Sequence, residues 1–229
     1  MTATPNTIRQ IPLRNLAKRR GVVPFERGPR PRDHIYASEL GKCARAVWFD
    51  WHYPEVRDNA FSETRGALGH AIEEVMARQL SPLVVAREVS FYDEKHHLSG
   101  RSDFVVRMKH HSPMLPLEVK STYAYDRFRN EPLPGHVLQL RYYLSQIPEA
   151  PFGVLVYYCL SNWGGHAGEW TALAVPPDTK AVVHEAARLW DAVHQDLPPP
   201  CERAQEKDGC FDCSISAERR LEAQMENLL

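Results

Sequence analysis

The sequence predicts an α/β fold in which a mixed central sheet is flanked by helices. Three observations support it: helical patterns open the chain, three strand-like runs follow one another in its middle, and a helix separates these from a final pair of strands. Helices and strands mixed in this way bury their apolar faces by packing the helices on a shared sheet. With 229 residues, the chain suits one domain with appendages.

The helices are predicted from capping residues and from apolar residues at helical spacing. Ser38 is a plausible N-cap of the first helix, whose apolar positions run to Trp51. Ser62 is a plausible N-cap of the second. The later helices end before prolines. The predicted ranges after the first helix are 63–80, 136–146 and 178–196.

The strands are predicted from runs of branched and aromatic residues that turn-forming residues separate. The final two should pair as a hairpin across the turn at 162–168. The predicted strands are 83–92, 97–108, 114–121, 152–160 and 169–175.

The composition excludes several classes of protein. No apolar run approaches the roughly 20 residues of a membrane helix, so no membrane partner is expected. The basic N-terminus is not followed by an apolar core region, which argues against a secretory signal. We therefore expect a cytoplasmic protein.

Charge is distributed unevenly along the chain. Residues 1–32 carry eight basic side chains and one acidic one, a net charge of +7, which leaves −8 for the remainder. This segment is either a solvated tail or an arm that binds phosphates. The predicted organisation is a basic arm at 1–35, the main domain at 36–200 and a cysteine-rich segment with a tail at 201–229.

The candidate chemistry lies in Asp103 and in Glu118-Val119-Lys120. Both segments read as strands, and neighbouring strands can bring two carboxylates together. Glu118 and Lys120 are two residues apart, so a strand directs both to one face. Carboxylates suit Mg²⁺ or Mn²⁺, and the lysine suits a phosphate. This combination is what phosphodiester hydrolysis requires.

Two helical patterns extend the constellation: Gly66-Ala-Leu-Gly-His70 and Gln139-Leu-Arg-Tyr-Tyr143. With Gly100-Arg-Ser-Asp103 and Glu118-Val119-Lys120, they make the chain resemble the PD-(D/E)XK nuclease superfamily, in its RecB-like branch. The resemblance implies a restriction-endonuclease-like core. Each pattern alone is common on solvated surfaces; the order and spacing of all four favour a nuclease site. Ser102 stands where many members of the superfamily have proline.

The resemblance also assigns roles to these residues. Asp103, Glu118, His70 and the backbone carbonyl of Val119 would hold Mg²⁺ or Mn²⁺. Lys120 would orient or deprotonate the attacking water, or stabilise developing negative charge. Gln139 and Tyr143 would position DNA or the Lys120 side chain.

The cysteines form a second pattern. Cys201, Cys210 and Cys213 follow a triple proline, and Cys43 is a natural remote fourth ligand of a metal. Spacing alone permits either iron–sulfur or zinc. The segment around Cys43 resembles the fourth CRISPR-associated (Cas) protein family, which implies a structural 4Fe–4S cluster, with Zn²⁺ as the alternative. Cys159 lies in an apolar strand and is expected to be a buried thiol.

The resemblance implies a metal-dependent DNA exonuclease that acts on single-stranded or frayed ends. Its implied roles are spacer processing with CRISPR integrase proteins, or phage or host recombination. Two alternatives stay open: an endonuclease of restriction or junction-resolving type, and a catalytically silent DNA-binding adaptor.

Overall fold

The computed structural model describes residues 32–54, 59–128, 130–160, 166–205 and 210–214, without the side chains of 59–65. The predicted basic arm up to residue 31 and the tail beyond 214 lie outside this part. The strands are β1 (Ile35–Tyr36), β2 (Val84–Asp93), β3 (Leu98–Val106), β4 (Leu115–Thr122), β5 (Gly153–Cys159) and β6 (Trp170–Val175). The helices are α1 (Ala44–His52), α2 (Asn59–Gln79), α3 (Tyr125–Phe128), α4 (Pro134–Ser145), α5 (Thr179–Val193) and α6 (Phe211–Ser214).

The six strands form one mixed sheet, as the sequence predicts. Its order is β1-β3-β4-β5-β6, and β2 also pairs with β3. Neighbours are antiparallel except for the parallel pairs β1–β3 and β4–β5. Because β2 lines one edge of β3 along most of its length, β1 and β4 share the other edge, at opposite ends of β3.

Helices cover both faces of the sheet, and β5 shows how its sequence serves two cores. Leu155 and Tyr157 belong to a cluster that includes residues of α1, α4 and α5. Val156 belongs to a second cluster, with Ile72 and Met76 of α2. Successive side chains of a strand point to opposite faces, so a nearly continuous apolar run is required where both faces are buried.

The first helix begins later than the sequence predicts. Ala37–Glu39 form a short 3-10 helix instead, and α1 begins at Ala44. Gly41, between them, has φ +80°, a left-handed backbone that suits glycine. A Cβ on Gly41 would lie 2.8 Å from the Cα of Gly135, so the chain also passes very close to the start of α4. This turn ends the 3-10 helix and places Cys43 as the N-cap of α1.

Three short elements have no counterpart in the predicted ones: β1, α3 and α6. They contain two, four and four residues. So few residues cannot display a period of 2 or 3.6, so only tertiary contacts identify them.

Arg32, the last residue of the basic segment, is engaged within the fold. Its guanidinium pairs with Glu39, and its side chain is 7% exposed. The guanidinium carbon also lies 4.7 Å from the ring centroid of Tyr36 and 4.9 Å from that of Trp51. Arg32 is therefore a packing residue here and is not presented to a phosphate.

Among the described residues, no helix is both long and apolar enough to cross a bilayer.

Candidate active site

The candidate site lies where β3 and β4 separate. Their backbone pairing runs from Val106–Leu115 to Phe104–Leu117. Beyond this pair, the side chain of Asp103 replaces the backbone as the hydrogen-bond acceptor. Its Oδ2 accepts a hydrogen bond from the Val119 N–H at 2.7 Å. The carboxylate thus satisfies a backbone donor that the ladder no longer serves. This arrangement confirms that the two motifs occupy neighbouring strands.

Glu118 is the most buried charged group of the site, with a side chain 3% exposed. Its Oε1 accepts hydrogen bonds from Lys120 Nζ at 2.7 Å and from Gln139 Nε2 at 2.8 Å. Its Oε2 is buried and has no hydrogen-bond partner. A buried carboxylate oxygen without a partner is costly, so it needs a ligand such as a cation.

Helix α4 supplies the support for Glu118. Gln139 and Tyr143 lie one turn apart, and Gln139 Nε2 also contacts the Tyr143 hydroxyl at 3.0 Å. Tyr143 is 1% exposed. A Cβ on Gly100 would lie 2.7 Å from Cε1 of Tyr143. Glycine at position 100 therefore lets α4 approach β3, which brings the Gly-x-x-Asp and Gln-x-x-x-Tyr patterns together.

Burial and mutual repulsion perturb both carboxylates. The pKa of Asp103 is raised well above its usual range, first by burial and then by the charge of Glu118. Burial likewise raises the pKa of Glu118, against the opposing effect of Lys120. Burial alone would lower the pKa of Lys120, but the charges of Glu118 and Asp103 outweigh it and raise this pKa. Lys120 is consequently an ammonium at neutral pH in the metal-free site.

These residues fit a divalent cation. The two carboxylates repel each other, and one ammonium offsets only one of them. The buried Glu118 Oε2 supplies a free oxygen ligand. Oxygen donors with excess negative charge are the preferred environment of Mg²⁺ and Mn²⁺.

His70 lies on the exposed surface of α2. Its side chain is 56% exposed, and its Nδ1 lies 3.3 Å from Glu73 Oε2. Ligand atoms of His70, Glu73 and Glu88 lie within 4.8 Å of one another. In the described residues, this group does not include Asp103 or Glu118, so the role of His70 as a ligand stays a prediction. Glu73, whose negative charge raises the pKa of Asp103 and of Glu118, was not identified from the sequence.

Ser102, which precedes Asp103, is fully buried. Its hydroxyl lies 3.0 Å from the Phe104 carbonyl and 3.3 Å from the Leu117 carbonyl. It can therefore donate to either of the two carbonyls at the last backbone pair before the strands separate. The serine stabilises the end of the ladder, from which Asp103 projects.

A half-buried polar group, His136, lies on α4 next to Tyr157. His136 Nδ1 lies 2.9 Å from the Tyr157 hydroxyl, which also accepts a hydrogen bond from the Leu133 N–H at 3.1 Å. Burial, reinforced by the charge of Lys120, lowers the pKa of His136 to about 3. His136 is therefore neutral, and its Nδ1 can accept the proton of Tyr157.

We expect His136 to make the fold sensitive to acid. Its pKa is lowered in the folded chain, so its contribution is fully present above about pH 6.5 and is lost as pH falls toward 3. The loss is at most about 1.4 kcal/mol per pH unit. Urea unfolding between pH 6.5 and 5.5 should show a shallower loss for His136→Gln than for wild type. Replacing the exposed His111 by glutamine should leave the wild-type slope unchanged; equal slopes for all three would contradict this role of His136.

The second candidate site unites the four predicted cysteines. Ligand sulfurs of Cys43, Cys201, Cys210 and Cys213 all lie within 4.8 Å of one another, and none is in a disulfide. The Sγ separations among Cys43, Cys201 and Cys213 are 3.6 to 3.8 Å. Four sulfurs around one point suit a four-coordinate metal. The predicted convergence of an early cysteine with three late ones is confirmed.

Backbone groups favour ionisation of one of these thiols. Cys43 caps the N-terminus of α1. Burial opposes its ionisation, but backbone N–H groups of Glu202, Ala46 and Arg45 outweigh it and lower the pKa of Cys43. Burial and the neighbouring thiols instead raise the pKa of Cys213. A cation is therefore needed before all four can be thiolates together.

Ion pairs and hydrogen bonds around the cysteines join the start of α1 to the C-terminal segment. Arg203 contacts Asp212 at 3.1 Å and the Gly41 carbonyl at 2.6 Å, and Asp212 accepts from the Cys43 N–H at 2.8 Å. Arg188 contacts Glu202 at 2.5 Å and the Lys42 carbonyl at 2.7 Å. We call these contacts and the four cysteines the clasp.

Cys159 lies apart from the clasp. It is 1% exposed and belongs to the apolar cluster that includes residues of α4 and α5. The structure thus confirms the expected buried thiol.

Comparison with known proteins gives structural matches only. No protein-family model matches the chain, and no curated protein does. The crystal structure of SSO0001 matches with a TM-score of 0.56 and 21% identity, over 82% of this chain and 87% of that one. LHK-Exo in complex with dAMP gives 0.46 and 11% identity, over 87% and 96%. An alkaline exonuclease (LHK-Exo) from Laribacter hongkongensis gives 0.40 and 11%, over the same shares. The likeness to SSO0001 shows a common fold.

Proposed function

We propose that this chain is a metal-dependent deoxyribonuclease that hydrolyses DNA from single-stranded or frayed ends. One observation supports it above the others: Asp103, Glu118 and Lys120 converge where β3 and β4 separate, with a buried Glu118 oxygen left unpaired. A site that only stabilised the fold would gain little from two buried carboxylates that repel each other. A site that binds a divalent cation requires them.

In the proposed mechanism, Asp103, Glu118, the Val119 carbonyl and His70 would hold Mg²⁺ or Mn²⁺. When bound, such a cation activates water and neutralises charge on the phosphoryl oxygens. Gln139 fixes the Glu118 carboxylate by its hydrogen bond to Oε1, and Tyr143 fixes Gln139 in turn. These contacts leave Glu118 Oε2 as the oxygen available to the cation.

Lys120 acts in this mechanism as a fixed positive charge. The nearby carboxylates raise its pKa, so it carries its proton before a cation binds. Its Nζ lies 2.7 Å from Glu118 Oε1 and its side chain is 23% exposed, so it can also meet solvent or substrate. An ammonium placed in this way stabilises the negative charge that develops on a phosphate.

The choice of DNA ends as substrate rests on the resemblance to RecB-like nucleases. The same resemblance implies work alongside CRISPR integrase proteins or in phage or host recombination.

We further propose that the four cysteines hold a structural metal. The resemblance favours a 4Fe–4S cluster. The sulfur spacing of 3.6 to 3.8 Å instead favours Zn²⁺, because four thiolates at about 2.3 Å from one tetrahedral ion lie about 3.8 Å apart. A cubane cluster binds each thiolate through a different iron and needs wider spacing. In either case, the metal would join the start of α1 to the C-terminal segment and take no part in DNA hydrolysis.

The proposed function can be tested with end-labelled linear DNA and circular single-stranded DNA, each incubated with Mg²⁺, Mn²⁺ or EDTA. We expect metal-dependent loss of the linear substrates, faster for single-stranded or frayed ends, with circles intact. Cutting of circles would identify the endonuclease alternative. Retarded DNA migration without cleavage would identify the silent adaptor. An Asp103→Asn preparation, purified in parallel, controls for contaminating nucleases.

A further inference from the structure

Helix α2 brings one acidic side chain toward the candidate active site and turns its neighbour away. Ile72 and Met76 are buried, and α2 packs against β4. Glu73, which follows Ile72, is 21% exposed in its side chain and contacts His70. Glu74 is 56% exposed and pairs with Arg87. The two adjacent glutamates therefore have different environments.

The position of Glu73 is also visible in its electrostatic effect. Besides burial, its negative charge contributes to raising the pKa of both Asp103 and Glu118. Glu73 is thus close enough to act on both carboxylates, and His70 is its contact on the same helix. The Glu118 side chain is 3% exposed, and its Oε2, which has no hydrogen-bond partner, is subject to the same negative charge of Glu73.

The contact between His70 and Glu73 has a specific chemical meaning. They are three residues apart on a helix, so their side chains are neighbours, and the Nδ1–Oε2 distance is 3.3 Å. A carboxylate oxygen only accepts, so this contact requires the proton on Nδ1. Nε2 then carries the lone pair that a metal ligand needs. Histidines that bind metals commonly donate their other N–H to a carboxylate in this way.

Glu88, the third member of the surface group, is less suited to this role. Its carboxylate pairs with Arg101 at 3.3 Å, so a cation already offsets its charge. Within the same group, Glu73 contacts the imidazole ring of His70.

We propose that Glu73 is a positioning residue that fixes His70 in its Nδ1–H tautomer and presents Nε2 to the divalent cation of the active site. This inference rests on the proposed function, because that function supplies the cation. Glu73 itself does not touch substrate.

The first test reads the tautomer directly. The protein is labelled with ¹⁵N and prepared without a divalent cation in the active site, while any metal at the cysteines is retained. Long-range ¹H–¹⁵N correlation spectra then distinguish the protonated ring nitrogen of His70, and a His70→Gln spectrum assigns the signal. We expect Nδ1–H in wild type and in Glu74→Gln, and a shift toward Nε2–H in Glu73→Gln. An Nε2–H tautomer in wild type, or the same tautomer in all three proteins, would overturn the proposal.

The second test measures Mn²⁺ affinity by calorimetry, without DNA. Glu73→Gln and His70→Gln should each bind Mn²⁺ about 10- to 100-fold more weakly, and Glu74→Gln should match wild type. Unchanged affinity in Glu73→Gln, or loss only in Glu88→Gln, would refute the assignment. Both tests are independent of cleavage: if they succeed and DNA stays intact, the nuclease proposal fails alone. If wild type binds no Mn²⁺, both proposals fail.

Discussion

Replacing Asp103 by alanine is expected to abolish metal-dependent DNA cleavage while the chain still folds. Asp103 is one of the two carboxylates that converge at the end of the β3–β4 pairing, and its removal would take away one of the cation ligands that we propose. A bound metal contributes several kcal/mol to such a reaction, so we expect a loss of at least about 10³-fold. Lys120→Ala should likewise reduce cleavage by about 10²-fold or more, because it would remove the positive charge that we propose for stabilising the reacting phosphate.

The fold should tolerate the replacement of Asp103 for an electrostatic reason. Ionised Asp103 and Glu118 destabilise each other, as their raised pKa values indicate. Asp103→Asn keeps an acceptor for the Val119 N–H and removes the repulsion, so its metal-free unfolding midpoint should equal or exceed that of wild type. Asp191→Asn, on the exposed face of α5, serves as the control and should cleave normally. Wild-type cleavage by a purified, correctly folded Asp103→Ala protein would reject the assigned site.

Replacing Cys43 by serine is expected to release the cysteine-bound metal and to destabilise the fold substantially. Structural zinc contributes about 10–16 kcal/mol of binding energy in small domains, so loss of one of four ligands should cost several kcal/mol. Cys43 is also the N-cap of α1, and its contacts through Asp212 and Arg203 belong to the clasp. We expect a lower thermal midpoint and a metal content near zero.

The matched control is Cys159→Ala, which removes a buried thiol outside the clasp. It should keep its full metal content and lose only the packing energy of a small side chain. Elemental analysis and visible absorbance of anaerobically prepared wild type then identify the metal: a brown protein with four irons per chain indicates 4Fe–4S, and a colourless one with a single zinc indicates Zn²⁺. Full metal retention by Cys43→Ser would rule out Cys43 as a ligand.

The sequence predicts much of this arrangement because the relevant residues stand on regular elements. Glu118 and Lys120 share a face because a strand alternates, and Gln139 and Tyr143 share one because a helix turns once in about four residues. The contacts of Lys120 and Gln139 with Glu118, at 2.7 and 2.8 Å, follow from that spacing once β4 and α4 pack together. The mixed sheet follows in the same way from the order of the predicted elements.

What the sequence does not predict depends on contacts between distant segments. The left-handed turn at Gly41 meets Gly135 across the fold, and this contact delays the start of α1. Gly100 reads as one residue of a motif, whereas its role is to make room for Tyr143. Glu73 and Glu74 have the same side chain in adjacent helical positions, and only packing decides which of them is the more buried.

The separation of the clasp cysteines along the sequence also affects when they can come together during synthesis. Cys43 and Cys201 are 158 residues apart. At about 5–20 residues per second, roughly 8 to 30 s pass between the appearance of the first ligand and that of the second. Throughout this interval Cys43 lacks the other three cysteines of the clasp and cannot form a four-coordinate site with them. The metal that we propose can therefore be held by all four cysteines only after Cys213 has been synthesised, and until then the contacts that join the start of α1 to the C-terminal segment are incomplete.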